Sequence, residues 1–349
     1  MTLKISILGA EHYHANFWTD AFIQSPDVEV VGVWDAEEAR ARELADRFRI
    51  DVDTDLAGLV GRSDAVAVCS ATCDHAELVE VAASRKKPVL CEKPLSINRD
   101  GCRRIEEIVR AAGIPFMQSF PKRFDPVNRE IAEILADGAL GTVTLCRIRH
   151  GHSHGLNETF RSAWFTDPAR SGGGTLLDEG VHAADFLRWM FGEPRSVFAT
   201  VSSGALGLAV EDTAAAAFRY DSGMIAEVTT SWCFAGADAS IEIYGTKGSL
   251  LLSGVDIASR PTREKDFLRI FVRDEQGGGS WSSSGTVPAF KTGIFHEHVA
   301  WAYVDALREG GPMPVTLADG FRAFAMIEAA YRSASSGKAE VIDYPVEAA

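Results

Sequence analysis

Five short apolar runs, residues 3–8, 28–34, 65–69, 88–91 and 114–117, punctuate the first third of this chain. Segments between them, residues 39–48, 76–84 and 102–112, carry apolar side chains at helical spacing. Few folds accommodate that alternation. Strand, helix and strand in succession build parallel βαβ units, and near-continuous hydrophobicity marks strands covered on both faces. A doubly wound parallel sheet is therefore expected for residues 1–122.

The pattern changes after Lys122–Pro126. A helix is expected over residues 127–136, ended by Asp137-Gly138, and another over 176–190. Strands then dominate, at residues 197–203, 213–218, 224–232, 239–244 and 249–252, with hairpin turns at Asp221-Ser222-Gly223 and Thr246-Lys247-Gly248. Residues 277–285 read as a Gly/Ser-rich mobile loop, and helices are expected over 295–308 and 317–333. At 349 residues the chain exceeds the usual single core. Residues 123–349 are thus expected to form a second, α+β domain with an open, mainly antiparallel sheet, which binds substrate and mediates oligomerisation. Apolar residues on both faces of strands 224–232 and 239–244 predict a homodimer or homotetramer formed through the open sheet face.

A formal charge of −14 repels phosphate backbones and disfavours nucleic acid as a partner. No run of about 18 apolar residues predicts a membrane span. The opening residues are too short and too lightly charged for a signal peptide. The six cysteines show no zinc or disulfide spacing. A reduced, cytoplasmic protein is the economical expectation.

The first expected strand ends at Leu8, and Gly9 opens a turn into a helix near His14. Such a helix N-terminus can receive a pyrophosphate. The dinucleotide fingerprint spaces three small residues, G-x-G-x-x-G/A, whereas this turn reads Gly9-Ala-Glu11-His12-Tyr13-His14 and keeps only the first glycine. Glu11 would bring negative charge toward phosphates. Asp35 ends the second strand at the distance expected of a ribose-binding carboxylate. It would repel a 2′-phosphate, and no arginine immediately follows it, so NAD is favoured over NADP. The same aspartate can instead cap the helix that follows.

Two further segments carry chemistry. Cys91-Glu92-Lys93-Pro94 follows an expected strand, where open α/β sheets bind ligands. Lys93 there can hold a substrate hydroxyl and stabilise a developing alkoxide, or simply belong to a charged turn. Gly172-Gly173-Gly174 leads to Asp178, His182 and Asp185, which one continuous helix would place on one face. A histidine so placed can take the proton of a secondary alcohol near neutral pH, with the carboxylate orienting substrate. A capped amphipathic helix with a buried histidine is the plainer alternative.

With Lys122-Arg123-Phe124-Asp125-Pro126, Ser70-Ala-Thr72-Cys-Asp-His75 and Trp164, these motifs stand in the order found in the glucose–fructose oxidoreductase, inositol dehydrogenase and rhizopine-catabolism (Gfo/Idh/MocA) family, which the chain resembles over nearly its whole length. The resemblance implies a Rossmann domain, an NAD(P)-dependent oxidoreductase acting on CH–OH groups, and a sugar, inositol or related polyol as substrate. It assigns catalysis to Lys93, Asp178 and His182. It assigns cofactor contact to Gly9, Asp35, Ser70, Thr72, His75, Glu92, Lys93, Gln118 and Trp164, and His12 and Tyr13 of the turn join that set. Arg123, His152 and His154 join Lys93, Asp178 and His182 as candidate substrate-binding residues. The turn's missing glycines and Phe165, where the family often has arginine, depart from the pattern.

His150, His152 and His154 alternate along an expected strand end. Neighbours on one strand face lie about 6.5–7 Å apart, too far for three to reach one tetrahedral ion unless the strand bends. No metal is therefore expected, and the histidines are expected to line the substrate cleft. An NAD-dependent glycosidase of the same fold and a non-catalytic ligand sensor are the alternatives to a dehydrogenase.

Overall fold

The computed structural model describes residues 2–236, 238–257 and 266–346. The chain divides into two compact units, residues 1–121 with 169–172 and 294–321, and residues 122–168 with 173–293 and 322–349. One edge of this division, 121/122, lies one residue before the expected boundary at 122/123. The short segment 169–172 and the segment 294–321, assigned by sequence to the second domain, belong to the first unit.

The first unit is built on five parallel strands: β1 (Leu3–Leu8), β2 (Val28–Trp34), β3 (Ala65–Val68), β4 (Val89–Cys91) and β5 (Phe116–Gln118). Their order is β2-β1-β3-β4-β5, each pair parallel. The apolar runs become the two-sided core: Ile5, Ile7, Leu8, Val66 and Val68 are fully buried. The crossovers are α1 (Ala15–Gln24), α2 (Glu38–Phe48), α3 (Leu56–Arg62), α4 (His75–Ser84) and α5 (Arg99–Ala112). Asp55 and Asn98 start α3 and α5 by accepting from backbone N–H groups three residues on, and Gly113 ends α5 in the left-handed region. The order reverses between β1 and β3, the place where such sheets bind ligands. The helix Glu297–Glu309 packs on α1, with Trp301 Nε1 donating to Ala21 O at 3.3 Å.

The second unit opens with α6 (Pro126–Ala136), started by Asp125, and β6 (Val143–Arg149). Short helices α7 (Glu158–Arg161) and α8 (Pro168–Ser171) precede α9 (Thr175–Asp178) and α10 (Gly180–Phe191). The helix expected over 176–190 is thus interrupted at Glu179, which keeps right-handed helical dihedrals (φ −97°, ψ −35°) between α9 and α10. Strands β7 (Ser196–Ser202), β8 (Thr213–Arg219), β9 (Ile225–Ser231), β10 (Asp238–Gly245) and β11 (Gly248–Asp256) follow, then β12 (Leu268–Arg273) and β13 (Gly279–Ser283). With Glu340–Val341 (β14) they form a nine-stranded sheet ordered β13-β12-β11-β10-β6-β9-β8-β7-β14. Among the described residues of this sheet, only β6 and β9 pair in parallel. The Gly/Ser-rich stretch expected as a loop therefore contains an edge strand, held by antiparallel pairing of Phe271 with Trp281 and its neighbours.

Ala214, Ala216, Phe218, Ala226, Val228, Cys146 and Ile148 point to the covered face and are buried. The open face is not the apolar surface expected of strands β9 and β10. Arg147 bridges Glu227 at 2.9 Å and Glu242 at 3.3 Å, a charged ladder across three strands. Phe198, Ile225 and Trp281 are exposed apolar residues on it.

Candidate active site

In the first unit, Gly9 sits at φ +87°, and a Cβ there would lie 2.6 Å from the Cα of Ser70. Only glycine fits where β1 and β3 turn away from each other. Gly9 N donates to Trp34 O at 2.7 Å and His12 N to Cys69 O at 3.1 Å, so the turn is pinned to the ends of both neighbouring strands. Asp35 is held from three sides: Ala10 N reaches Oδ2 at 2.7 Å, while Glu37 N and Arg40 Nε reach Oδ1 at 2.8 and 3.0 Å. Its capping and ligand roles remain compatible, although the N-cap of α2 itself is Glu37. An arginine does neighbour Asp35, five residues on rather than adjacent in sequence.

The two residues that replace the missing glycines are both compensated. Glu11 takes a two-pronged contact from Arg170, at 2.8 and 2.5 Å, and a third from Arg40 at 3.3 Å. His14 directs Nδ1 to Glu92 Oε1 at 2.8 Å and stacks on His296 with ring centres 3.6 Å apart. Burial lowers the pKa of His12 well below the usual imidazole range. Tyr13 is exposed beside them.

Glu92 is fully buried; its other oxygen accepts from Lys93 N at 2.8 Å. Gln118 donates to Cys91 O and Glu92 O at 3.0 and 2.8 Å, bracing the strand end from which Lys93 projects. The Lys93–Pro94 peptide is cis, and Lys93 itself is buried. His75 opens α4, with Nδ1 3.3 Å from Leu95 O, and burial lowers its pKa. Among the described residues, the buried Thr72 Oγ1 and His75 Nε2 have no hydrogen-bond partner. Two such orphaned groups beyond β3, Gly9 in its turn and Asp35 after β2 together fit a dinucleotide, whose hydroxyls and phosphates would satisfy them.

In the second unit, α9 ends at Asp178, whose Oδ2 accepts from Trp232 Nε1 at 3.2 Å. Glu179 turns the chain, and His182 N donates to Glu179 O at 3.2 Å in the first turn of α10. β6 ends at Arg149, but His150 N and His152 N go on donating to Thr229 O and Ser231 O of β9 at 3.0 and 2.9 Å, so the two rings keep to one face. That face brings His150 Nε2 to Glu179 Oε2 at 3.1 Å and His152 Nε2 to Glu179 Oε1 at 3.2 Å. His154 N donates to His152 Nδ1 at 3.1 Å, and the half-buried His154 ring packs against His152. His150 meets His182 edge-on, ring centres 5.3 Å apart. Burial lowers His150 to about 4 and Lys122, which faces Glu179, to about 8. The two imidazoles hold the Glu179 carboxyl well below its usual range.

Arg123, a candidate substrate-binding residue, has a carboxylate of its own chain as partner. It forks onto Asp185 with contacts of 2.6, 2.9 and 3.2 Å, and that carboxylate is fully buried, so the pair ties the start of this unit to α10. Trp164 is buried in a tight turn and stacks on Phe165, ring centres 4.0 Å apart. Gly174 is explained by Glu211: its carboxylate accepts from Gly174 N and Leu176 N, and a Cβ on Gly174 would lie 2.0 Å from Glu211 O.

Sequence reasoning overlooked Arg170, His296, Glu179 and Glu211. Glu11 in a phosphate-binding turn was the one signal that a cation must be nearby. Nothing in spacing points to residue 170.

Two family profiles cover most of the chain. Residues 3–120 match the oxidoreductase family's NAD-binding Rossmann fold, and residues 128–251 match the GFO/IDH/MocA C-terminal domain. The chain belongs to the Gfo/Idh/MocA oxidoreductase family. It is 30% identical over 324 residues to myo-inositol 2-dehydrogenase of Thermotoga maritima, covering 88% of this chain and 89% of that protein. It is 27% identical over 343 residues to an inositol 2-dehydrogenase of Rhizobium meliloti, covering 95% and 97%. Among solved structures, GenD2 from gentamicin A biosynthesis, in complex with NAD, superposes with a TM-score of 0.81 at 26% identity over 98% of this chain and 97% of that one. The protein is thus an oxidoreductase with an NAD-binding Rossmann unit, and the expected fold of both units is borne out.

Proposed function

We propose that the protein is an NAD-dependent dehydrogenase for a secondary alcohol of a sugar, an inositol or a related polyol. The observation that carries this reading is the presence of Lys93 after the buried Glu92, together with Asp178 and His182 at the α9–α10 junction, in a chain that aligns with inositol dehydrogenases over 88% and 95% of its length. NAD, when bound, supplies the hydride acceptor. Gly9, the turn that follows it, Asp35, Ser70, Thr72 and His75 hold that cofactor.

Lys93 donates to the substrate hydroxyl and stabilises the alkoxide as it forms. His182 accepts the hydroxyl proton as general base. Asp178, fixed by Trp232, accepts from a neighbouring hydroxyl and sets the orientation of the ring. Such a constellation favours vicinal hydroxyls, which inositols and sugars offer. His152 and His154 extend the polar lining.

The test is a panel of inositols, aldoses and sugar derivatives incubated with NAD, following the absorbance of reduced nicotinamide. Steady formation of NADH with one of them supports the reading. Release of an aglycone with no net NADH would favour glycosidase chemistry, and binding without turnover would favour a sensor.

A further inference from the structure

Five side chains that can ligate a metal converge around the α9–α10 break: His150, His152, Asp178, Glu179 and His182. In two overlapping groups, His150–Glu179–His182 and His152–Asp178–Glu179, the ligating atoms all lie within 4.8 Å of one another. Four of the five residues are buried, with Asp178 half-buried. Shared Glu179 presents one oxygen to each group. A dry carboxylate flanked by imidazoles is the donor set of divalent first-row ions, zinc above all.

The hydrogen bonds decide which histidines can serve. His152 Nδ1 accepts from His154 N, so the neutral ring carries its proton on Nε2. That nitrogen faces Glu179 as a donor and has no lone pair for an ion. His150 is under no such constraint, because its Nδ1 has no partner among the described residues. It can carry its proton there and turn the Nε2 lone pair toward Glu179. Bonds of about 2.0–2.1 Å in tetrahedral geometry place two ligand atoms roughly 3.4 Å apart. His150 Nε2 and Glu179 Oε2 stand 3.1 Å apart.

We propose that His150 Nε2, Glu179 Oε2 and His182 form a three-ligand site for one divalent transition-metal ion, with an open fourth position. The ion takes the Nε2 lone pair of neutral His150, whose single proton sits on Nδ1, so the ring releases no proton. Glu179 and Asp178 balance the two positive charges. A ligated imidazole has its lone pair on the metal and cannot act as a base. The ion therefore blocks the general base assigned above and inhibits alcohol oxidation. That consequence alone rests on the dehydrogenase reading; the binding itself does not.

The full chain, stripped with EDTA and desalted, is titrated with Co²⁺ and followed by its visible absorption, then displaced with Zn²⁺ and assayed for metal content. One equivalent per chain, with the intense bands of a four-coordinate site, is expected. Glu179→Gln and His150→Ala should weaken binding by at least about 10–100-fold, since even outer-shell losses cost that much. His152→Asn should keep the stoichiometry. Circular dichroism and thermal melting show that each variant is folded. Wild-type protein that takes up no Co²⁺ overturns the proposal without recourse to variants. Binding that survives in both Glu179→Gln and His150→Ala, or is lost equally in His152→Asn, overturns this donor set. Zn²⁺ should slow NADH formation and EDTA restore it; acceleration by Zn²⁺ would overturn the inhibitory role. A protein that binds Co²⁺ as described but oxidises no polyol refutes the dehydrogenase reading while leaving the metal site standing.

Discussion

Removing the guanidinium of Arg170 should weaken NAD binding through Glu11. In the intact protein Glu11, 11% exposed at its side chain, occupies a glycine position of the turn assigned to the pyrophosphate, and Arg170 clamps both its oxygens. In Arg170→Ala the carboxylate keeps only Arg40, at 3.3 Å on one oxygen. Charged hydrogen bonds contribute about 1.5–3 kcal/mol when protected. Arg170 is 34% exposed, so solvent screening reduces that figure. A loss of about 1–2 kcal/mol remains, which corresponds to a rise of roughly 5–30-fold in the Kd for NAD. Calorimetric titration at two ionic strengths measures it, with a smaller effect at high salt. The double variant Glu11→Gln/Arg170→Ala should recover most of the affinity, because no carboxylate then faces the phosphates. Wild-type affinity in Arg170→Ala would refute the compensation argument. So would a double variant no better than the single one, which would mean that Arg170 acts on the cofactor directly.

On the best substrate of the panel, His182→Ala should lower kcat by about 10²–10⁴-fold with the Kd for NAD unchanged, whereas Lys93→Ala should damage both kcat and KM; near-normal turnover in a folded His182→Ala protein would remove the histidine from catalysis. NADP should bind more weakly than NAD by at least about 1–3 kcal/mol, because the carboxylate of Asp35 opposes a 2′-phosphate; Asp35→Asn should narrow the gap, and equal affinities in the wild type would exclude Asp35 from the ribose site. Sedimentation at micromolar concentration should show a dimer or tetramer assembled on the open sheet face, and Phe198→Glu with Ile225→Glu should yield monomers; a wild-type monomer would leave the exposed Phe198 and Ile225 without a partner.

The sequence alone determined the layered plan. Period-two and period-3.6 patterning is a local property, and strands buried on both faces have to be apolar throughout, so β1 to β5 were legible nearly to the residue. Gly9, Asp35, Lys93, Asp178 and His182 stood out as candidates because the first three follow strand ends and the last two flank the start of α10. The interruption between α9 and α10 was not, because Glu179 is an ordinary helix former and no local pattern announces its pairing with two imidazoles from beyond β6. The edge strand β13 was hidden for a similar reason: Gly-Ser-Trp-Ser-Ser has little strand character until β12 supplies hydrogen bonds. The same holds for Glu11 with Arg170, 159 positions apart, and for Gly174 with Glu211. Pairings between distant charges follow no period. Tertiary structure decided them, because a carboxylate can be buried only where a donor from elsewhere in the chain arrives to meet it.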